Sequence, residues 1–542
     1  MIFRNTEVQR TQRYTEAEPD YFSVKLSALC PSVFLKIWMR GSRSTRMKLL
    51  RSTFGLVLAL LCARYSVNAA DPSKPNIIVI LADDVGWGDL GCYGATQIKT
   101  PHLDGLAREG MRFTDAHASA SVCTPTRYSM LTGQYSWRRD AVGLNRGVSN
   151  GDSPLLIPVG TSTLPGLLKG AGYRTGAVGK WHLGFGDTAP DYNKDLMPGP
   201  LEIGFDEFFG YPATNDRVPT VYVKGHRVVG LDPADPITIS YKQPTDPALS
   251  RMAAGRQRIG WMSGGKSAFW KDTTMADTLT SEAIAFIERE KAKPFFLYFA
   301  PHNCHAPAVP GPRFAGSSGL SARADSIQEL DWSVGEILKT LDRLDLAKNT
   351  LVVFSSDNGA YVINEKGHRP NGPYRGEKSQ LWEGGHREPF IARWPGRIKP
   401  GVSDDIICLV DLPATAAAIA GVNLAAAAAP DSFNLLPALL GEKNPHLREN
   451  LIVMSGTGAL AVRQGPWKYI PNLAAANGWQ AGPPKAGAPP AGPGLYNVSA
   501  DPGETRNVVT EQPETAQRLV DALRKAREAK LTRQHTAGQL QN

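Results

Sequence analysis

Residues 76–82, Asn-Ile-Ile-Val-Ile-Leu-Ala, are apolar at every position after the first and rich in β-branched side chains. An unbroken apolar run of this length predicts a strand covered on both faces, as in a parallel sheet. It stops at Asp83-Asp84, with Gly86 and Gly88 just beyond. The carboxyl ends of central strands are where α/β sheets place ligands. Thr100-Pro101, ahead of Leu103, Leu106 and Ala107, predicts a helix with a threonine N-cap and proline at its first position. Residues 283–287 predict a helix before a strand at 295–299. Ile327, Leu330, Val334, Ile337, Leu338, Leu341 and Leu344 recur at helical spacing before a strand at 351–354. Helix and strand alternate, which predicts an α/β fold with a large, mostly parallel sheet flanked by helices.

Residues 211–275 break that rhythm with proline, glycine and polar residues, and are expected to be loops that shape a pocket. The alanine run at 425–429 and the stretch 483–494 are low-complexity connectors. Short strand-like pieces at 460–463 and 467–470 and an amphipathic helix at 514–530, with Leu519, Val520, Leu523 and Ala526 inward, predict a smaller C-terminal antiparallel sheet with a helix. The expected division is an N-terminal extension at 1–70, a catalytic domain at 71–440 and a C-terminal subdomain at 441–542.

Composition changes this picture in three ways. With 542 residues, 42% hydrophobic and 20% charged, the chain can bury a large core. The net charge of +9 comes largely from its beginning: residues 1–70 hold 11 Lys and Arg against 4 Asp and Glu. The body is nearly neutral and has no long basic run, which argues against a nucleic-acid partner. That basic beginning contains Met47-Lys48-Leu49-Leu50-Arg51, an apolar run at 54–62 and Val67-Asn68-Ala69-Ala70, the pattern of a cleaved export signal. Translation is expected to start at Met47, cleavage to fall near Ala69 or Ala70, and the mature chain to be periplasmic or secreted, with no transmembrane anchor. Leu60-Leu61 ahead of Cys62 is a poor fit to a lipoprotein. Of six cysteines, Cys30 and Cys62 would leave with the precursor. The remaining four are too few to staple a chain this large, so Cys92, Cys304 and Cys408 are expected to be buried or free thiols.

Four constellations carry candidate chemistry. Asp83-Asp84 and Asp357-Asn358-Gly359 each follow a predicted strand. Together they would make a hard oxygen cage suited to Ca²⁺ or Mg²⁺, although Asp-Asn-Gly is also a common turn. Cys123 stands in Ser121-Val122-Cys123-Thr124-Pro125-Thr126-Arg127, with Leu131-Thr132-Gly133 downstream. Alone it could be a loop cysteine or a low-pKa thiol. The fourth is the run from Gly172 to Gly184, which presents Lys180 and His182 together after a strand.

Cys-x-Pro-x-Arg with Thr-Gly downstream resembles the sequence by which sulfatases have a cysteine oxidised to formylglycine, and the 172–184 run resembles their second signature. Residues 113–117, 382–389, 495–498 and 501–504 agree, so from about Lys74 to Asn507 the chain resembles a type I sulfatase of the arylsulfatase and N-acetylgalactosamine-6-sulfatase type. The resemblance implies an alkaline-phosphatase-like α/β sandwich and hydrolysis of sulfate esters. It also implies a formylglycine-generating or sulfatase-maturating partner, and Ca²⁺, with Mg²⁺ an alternative, held by Asp83, Asp84, Asp357, Asn358 and the modified Cys123. Arg127 would hold the formylglycine, and Lys180 and Lys378 would grip the sulfate. His182 would pair with the nucleophile, and His305, with His302 the alternative, would protonate the leaving oxygen. A hydrated aldehyde explains the residue type: one hydroxyl attacks sulfur and the second expels sulfate, a route closed to serine or cysteine. A sulfated carbohydrate is the expected substrate. A phosphate or phosphonate ester hydrolase of the same superfamily, and a non-catalytic sulfated-glycan binder if Cys123 stays unmodified, are the alternatives.

Overall fold

β1 (Asn76–Ala82) is buried at all seven positions and lies at the centre of an eleven-stranded sheet. The computed structural model describes residues 74–139, 147–425, 427–442, 447–480 and 492–533. The expected export segment, with Cys30, Met47 and Cys62, lies outside the described residues, as do Ala426 and residues 481–491 of the two connectors. Among the described residues no helix is long and apolar enough to cross a membrane.

β10 (Phe295–Ala300) and β11 (Thr350–Ser356) flank β1, both parallel to it. β3 (Arg174–Lys180) and β4 (Glu207–Tyr211) extend the parallel set beyond β10, and the short β5 (Val223–Lys224) and β6 (Arg227–Val228) end that side in antiparallel pairing. On the other side β12 (Arg387–Arg393) runs antiparallel to β11, and β2 (Met111–His117) antiparallel to β12. The two reversals bring β2 back into the direction of β1. β13 (Gly401–Ser403) and β14 (Ile407–Cys408) pair with β2 in parallel.

Alternation along the central strands sends side chains to both faces. Ile78, Ile80, Leu297, Phe299, Val352 and Phe354 join one core with α1 (Pro101–Glu109), α4 (Met275–Glu290) and α5 (Ala322–Arg343). Ile77, Val79, Leu81, Phe296, Leu351 and Val353 join the other, with α2 (Cys123–Thr132), α3 (Leu164–Gly170) and α7 (Leu412–Ala420). The helical face expected on α5 is buried at Ile327, Leu330, Val334, Ile337 and Leu341, while Leu338 and Leu344 are partly covered. Each such side chain removed from water contributes roughly 1.5–3 kcal/mol before entropy is counted.

Two local expectations are corrected. α1 does begin at Pro101, but Thr100 does not cap it; the threonine hydroxyl accepts from Gly91 N at 2.9 Å and donates to Asp104. The free N–H groups of His102 and Leu103 go to the Asp331 carboxylate of α5, at 3.2 and 2.8 Å, so a tertiary contact does the capping. Residues 211–275 are not loops throughout. β7 (Thr238–Ser240), β8 (Ser250–Ala253) and β9 (Arg256–Ser263) form a three-stranded antiparallel sheet, because residues 256–263 alternate exposed and covered positions.

The second sheet consists of β15 (Leu451–Met454), β16 (Leu460–Gln464), β17 (Trp467–Ile470) and β18 (Gly494–Asn497), all antiparallel. α8 (Pro513–Glu528) covers it with Leu519, Leu523 and Ala526, which are buried, and Val520, which is partly so. Leu381 and Trp382, just before α6 (Glu383–His386), share that core. Cys92, Cys123, Cys304 and Cys408 are free thiols, all buried but Cys92.

Candidate active site

Six segments meet at one edge of the large sheet, because five strand carboxyl ends and one strand amino end point there. β1, β3, β10, β11 and β2 share a direction, so their carboxyl ends deliver Asp83, Lys180, His302, Asp357 and, six residues beyond His117, Cys123 to the same side. β12 runs the other way, so its amino end returns the 376–386 segment with Lys378 to that edge.

The acidic residues of the two strand ends lie side by side. Ala82 pairs with Ser356, and Asp357 N donates to Ala82 O at 3.1 Å, which sets Asp83 beside Asp357. Asp84 takes a left-handed backbone conformation, φ 62°, and its N–H faces Asp357 Oδ1 at 3.4 Å. Asn358 Nδ2 donates to Asp84 Oδ1 at 2.7 Å. Its Oδ1 is buried without a hydrogen-bond partner among the described residues.

Cations surround these carboxylates. Lys180 Nζ is 2.8 Å from both oxygens of Asp83 and 3.7 Å from Asp357 Oδ2. Lys378 Nζ is 2.6 Å from Asp84 Oδ1. Arg127, one turn into α2 from Cys123, gives Nε and a terminal nitrogen to Asp357 Oδ2 at 3.0 and 2.7 Å, and its other terminal nitrogen to the Tyr298 hydroxyl at 2.8 Å. Burial pushes the Asp83 carboxyl up, but Lys180, His305, Arg127 and Lys378 together outweigh it and hold the group below its ordinary range. For Asp357 burial wins over Arg127, and its pKa is raised. A further hard cation fits this donor set: three carboxylates and an unpartnered amide oxygen, all oxygen, converge without a thiolate.

Cys123 opens α2, and burial pushes its thiol up, with Lys180 and Lys378 offsetting only part. It is therefore not a poised thiolate. His182, also at positive φ, offers its Nε2–H to Ser149 O at 2.8 Å and keeps Nδ1 unpartnered among the described residues. Burial and then Lys180 hold its pKa well down, so it is neutral and Nδ1 is a free lone pair. Its carbonyl accepts from Thr124 Oγ1 at 3.2 Å, tying it to the Cys123 helix. Of the two candidate acids, His305 reaches the acidic cluster, with Nε2 3.9 Å from Asp84 Oδ2, whereas burial depresses His302 to about 4.

Lys378 and His305, 8% and 6% exposed, are less covered than the carboxylates, so the site opens on their side. There stand two mostly buried residues that sequence inspection passed over. The Asp216 carboxyl, despite burial, is drawn below its usual range by His305, then Arg217, and also by Lys378. Arg217 is 3.1 Å from Asn150 Oδ1 and 2.8 Å from Asp216, while Asn215 Nδ2 donates to the carbonyls of His305 and Pro307. Asn215-Asp216, in a stretch rich in proline, glycine and polar residues, has no local signature beyond that of a turn. Tyr298, the partner of Arg127, was likewise hidden inside an apolar strand run.

Residues 75–422 match the family model Sulfatase. An N-acetylgalactosamine-6-O-sulfatase of Bacteroides thetaiotaomicron is 43% identical over 489 residues, covering 84% of this chain and 94% of that one. Human arylsulfatase A is 35% identical over 452 residues, covering 80% and 83%. A solved structure from work on glycosaminoglycan metabolism by B. thetaiotaomicron superposes with a TM-score of 0.78 at 42% identity, over 84% of this chain and all of that one. With these matches over the fold and the site just described, the chain belongs to the sulfatase family and is a sulfuric ester hydrolase.

Proposed function

We propose that this enzyme removes sulfate from sulfated carbohydrate, with a 6-sulfated N-acetylgalactosamine unit as the favoured substrate. What supports it most is the concentration of Cys123, Lys180, Lys378 and three carboxylates at one strand edge, in a chain 43% identical to an N-acetylgalactosamine-6-O-sulfatase. Asp83, Asp84, Asp357, Asn358 and residue 123 would hold calcium, which supplies positive charge against the sulfuryl oxygens when bound. Oxidation of Cys123 to formylglycine by a maturating enzyme, followed by addition of water to the aldehyde, would supply the nucleophilic hydroxyl.

The chain's own groups do the rest. An ammonium has three donors, so Lys378, which spends one on Asp84, has two left for sulfate oxygens. Lys180 adds charge from the β3 side. Arg127 fixes Asp357 and, through its place on α2, the orientation of residue 123. His182 accepts a proton at Nδ1, its only free ring position. His305 donates from Nε2, because its Nδ1 faces the Ala306 carbonyl at 2.7 Å. Asp216 and Arg217, at the opening, are placed to meet the sugar's hydroxyls. The 1–70 segment would export the chain, and the small sheet would belong to a subdomain starting near residue 441.

The test is to co-produce the enzyme with a formylglycine-generating enzyme and screen defined sulfated mono- and oligosaccharides beside an aryl sulfate. Sulfate release from N-acetylgalactosamine 6-sulfate is expected. Turnover of the aryl sulfate alone would sink the carbohydrate assignment.

A further inference from the structure

Behind the carboxylate cluster lies a second buried charge pair. Asp89 is wholly buried, and Arg323, the second residue of α5, is 3% exposed. The guanidinium meets both Asp89 oxygens, with one contact at 3.1 Å and the other shorter. The same terminal nitrogen that makes the shorter contact also donates to the backbone carbonyl of Asp84 at 3.2 Å. Asp89 in turn accepts from Gly86 N at 2.7 Å and faces His368 Nε2 at 2.9 Å. Glu365 touches Arg323 from the outer side at 3.4 Å.

Stability alone is a weak reason for this pair. Two charges taken out of water lose several kcal/mol each in hydration, and such pairs are commonly replaceable by apolar residues without loss. The pair grips the two ends of a strained turn: Asp84 stands at φ 62°, a conformation that costs a non-glycine residue about 1–3 kcal/mol. Val85 N on Ser356 Oγ at 3.0 Å anchors its middle. With its carbonyl held by α5 and its N–H by Asp357, Asp84 turns its carboxylate towards Asn358, Lys378 and His305.

We infer that Arg323 and Asp89 are positioning residues, fixing the backbone of Asp84 so that its carboxylate stands ready for the cation. The inference rests on the reading of Asp83, Asp84, Asp357 and Asn358 as the cation site. Calcium titration by calorimetry on the full-length wild type, Arg323→Lys, Asp89→Asn and a Glu365→Gln control tests it, with melting temperatures taken with and without calcium. Lysine is shorter and has one nitrogen where the guanidinium uses two, so it cannot reproduce all three contacts to Asp89 and the Asp84 carbonyl, and Arg323→Lys should weaken calcium binding about 10-fold to 100-fold, the effect of losing an outer partner of a metal ligand. Asp89→Asn should do the same, and Glu365→Gln should not. In both weakened variants saturating calcium should restore most turnover of an aryl sulfate. If melting falls equally with and without calcium while affinity is unchanged, the pair is merely structural and the inference is overturned. Should Arg323→Lys not fold, unchanged affinity in the near-isosteric Asp89→Asn overturns it alone. A wild-type protein that does not bind calcium would remove the cation site itself, a separate failure visible before any variant is made.

Discussion

Lys180 Nζ lies equidistant, at 2.8 Å, from the two oxygens of Asp83, and both side chains are wholly buried. Removing the cation leaves a carboxylate in a site that water does not reach. Lys180→Ala should therefore lose about 3–5 kcal/mol of stability. It should also lower kcat by roughly 10²–10³, the effect of removing one charge-stabilising donor. Urea unfolding and steady-state kinetics on an aryl sulfate measure the two separately; a folded variant with near-parental kcat contradicts the assigned role.

Cys123 is buried but unbridged. Cys123→Ala removes one sulfur from the start of α2 and should cost only about 1 kcal/mol while abolishing turnover. Peptide mass mapping of the parent, made with a maturating enzyme, should show the aldehyde at residue 123. Retained activity in the alanine variant would rule out the nucleophile.

Calcium that binds only the folded chain must raise its melting temperature. At a concentration about 100-fold above Kd the gain is about 2.7 kcal/mol. Chelation should lower Tm by an amount that grows with the calcium present beforehand, and re-addition should restore it. A Tm indifferent to chelator would argue against the oxygen cage.

Glu388 on β12 is buried, and neither carboxyl oxygen has a hydrogen-bond partner among the described residues. Burial first, then the charges of Asp357, Asp84 and Asp89, raise its pKa well above the carboxylate range. Because the folded value lies above the unfolded one, about 4.3, the group's contribution is intact below that pH and fades as pH rises towards the folded value. Glu388→Gln keeps the shape without the proton. It should match the parent near pH 4 and exceed it increasingly above pH 5 in urea melts; parallel pH profiles would refute the assignment.

Gly478, at φ 55°, packs so closely that a Cβ would overlap the Ser379 carbonyl. Ser379 is next to Lys378, donates its N–H to Ser121 O at 2.6 Å, and accepts from Trp479 N at 2.7 Å. Gly478→Ala should thus displace the lysine segment, costing about 1–3 kcal/mol and lowering kcat more than a distant substitution of equal cost. Ile287→Val, a buried truncation on α4 that should cost about 0.5–1.5 kcal/mol, is such a control.

Hydrophobic periodicity determined most of the architecture. Residues 76–82 and 467–470 are strands to the residue, and the α5 stripe is buried where its spacing put it, because these elements are specified by which face must leave water. The acidic pairs, Cys123 and the Lys180–His182 run were legible for a different reason: they sit in strings whose order is tied to strand ends. What the chain could not show locally is which distant groups meet. The alternation at 256–263 was masked by surrounding glycine and proline, and Thr100 lost its capping role to Asp331, which lies 231 positions along the chain.

The sequence by itself determined the fold class and the family and named the residues proposed for the chemistry, since these depend on composition and on order along the chain. Only the tertiary structure decided that His305 rather than His302 stands beside Asp84, that Asp216 and Arg217 flank the opening, and that Arg323 holds the Asp84 carbonyl. Each of those depends on strand register and on a helix packing across the sheet, and a through-space distance between residues hundreds of positions apart leaves no mark on the residues between them.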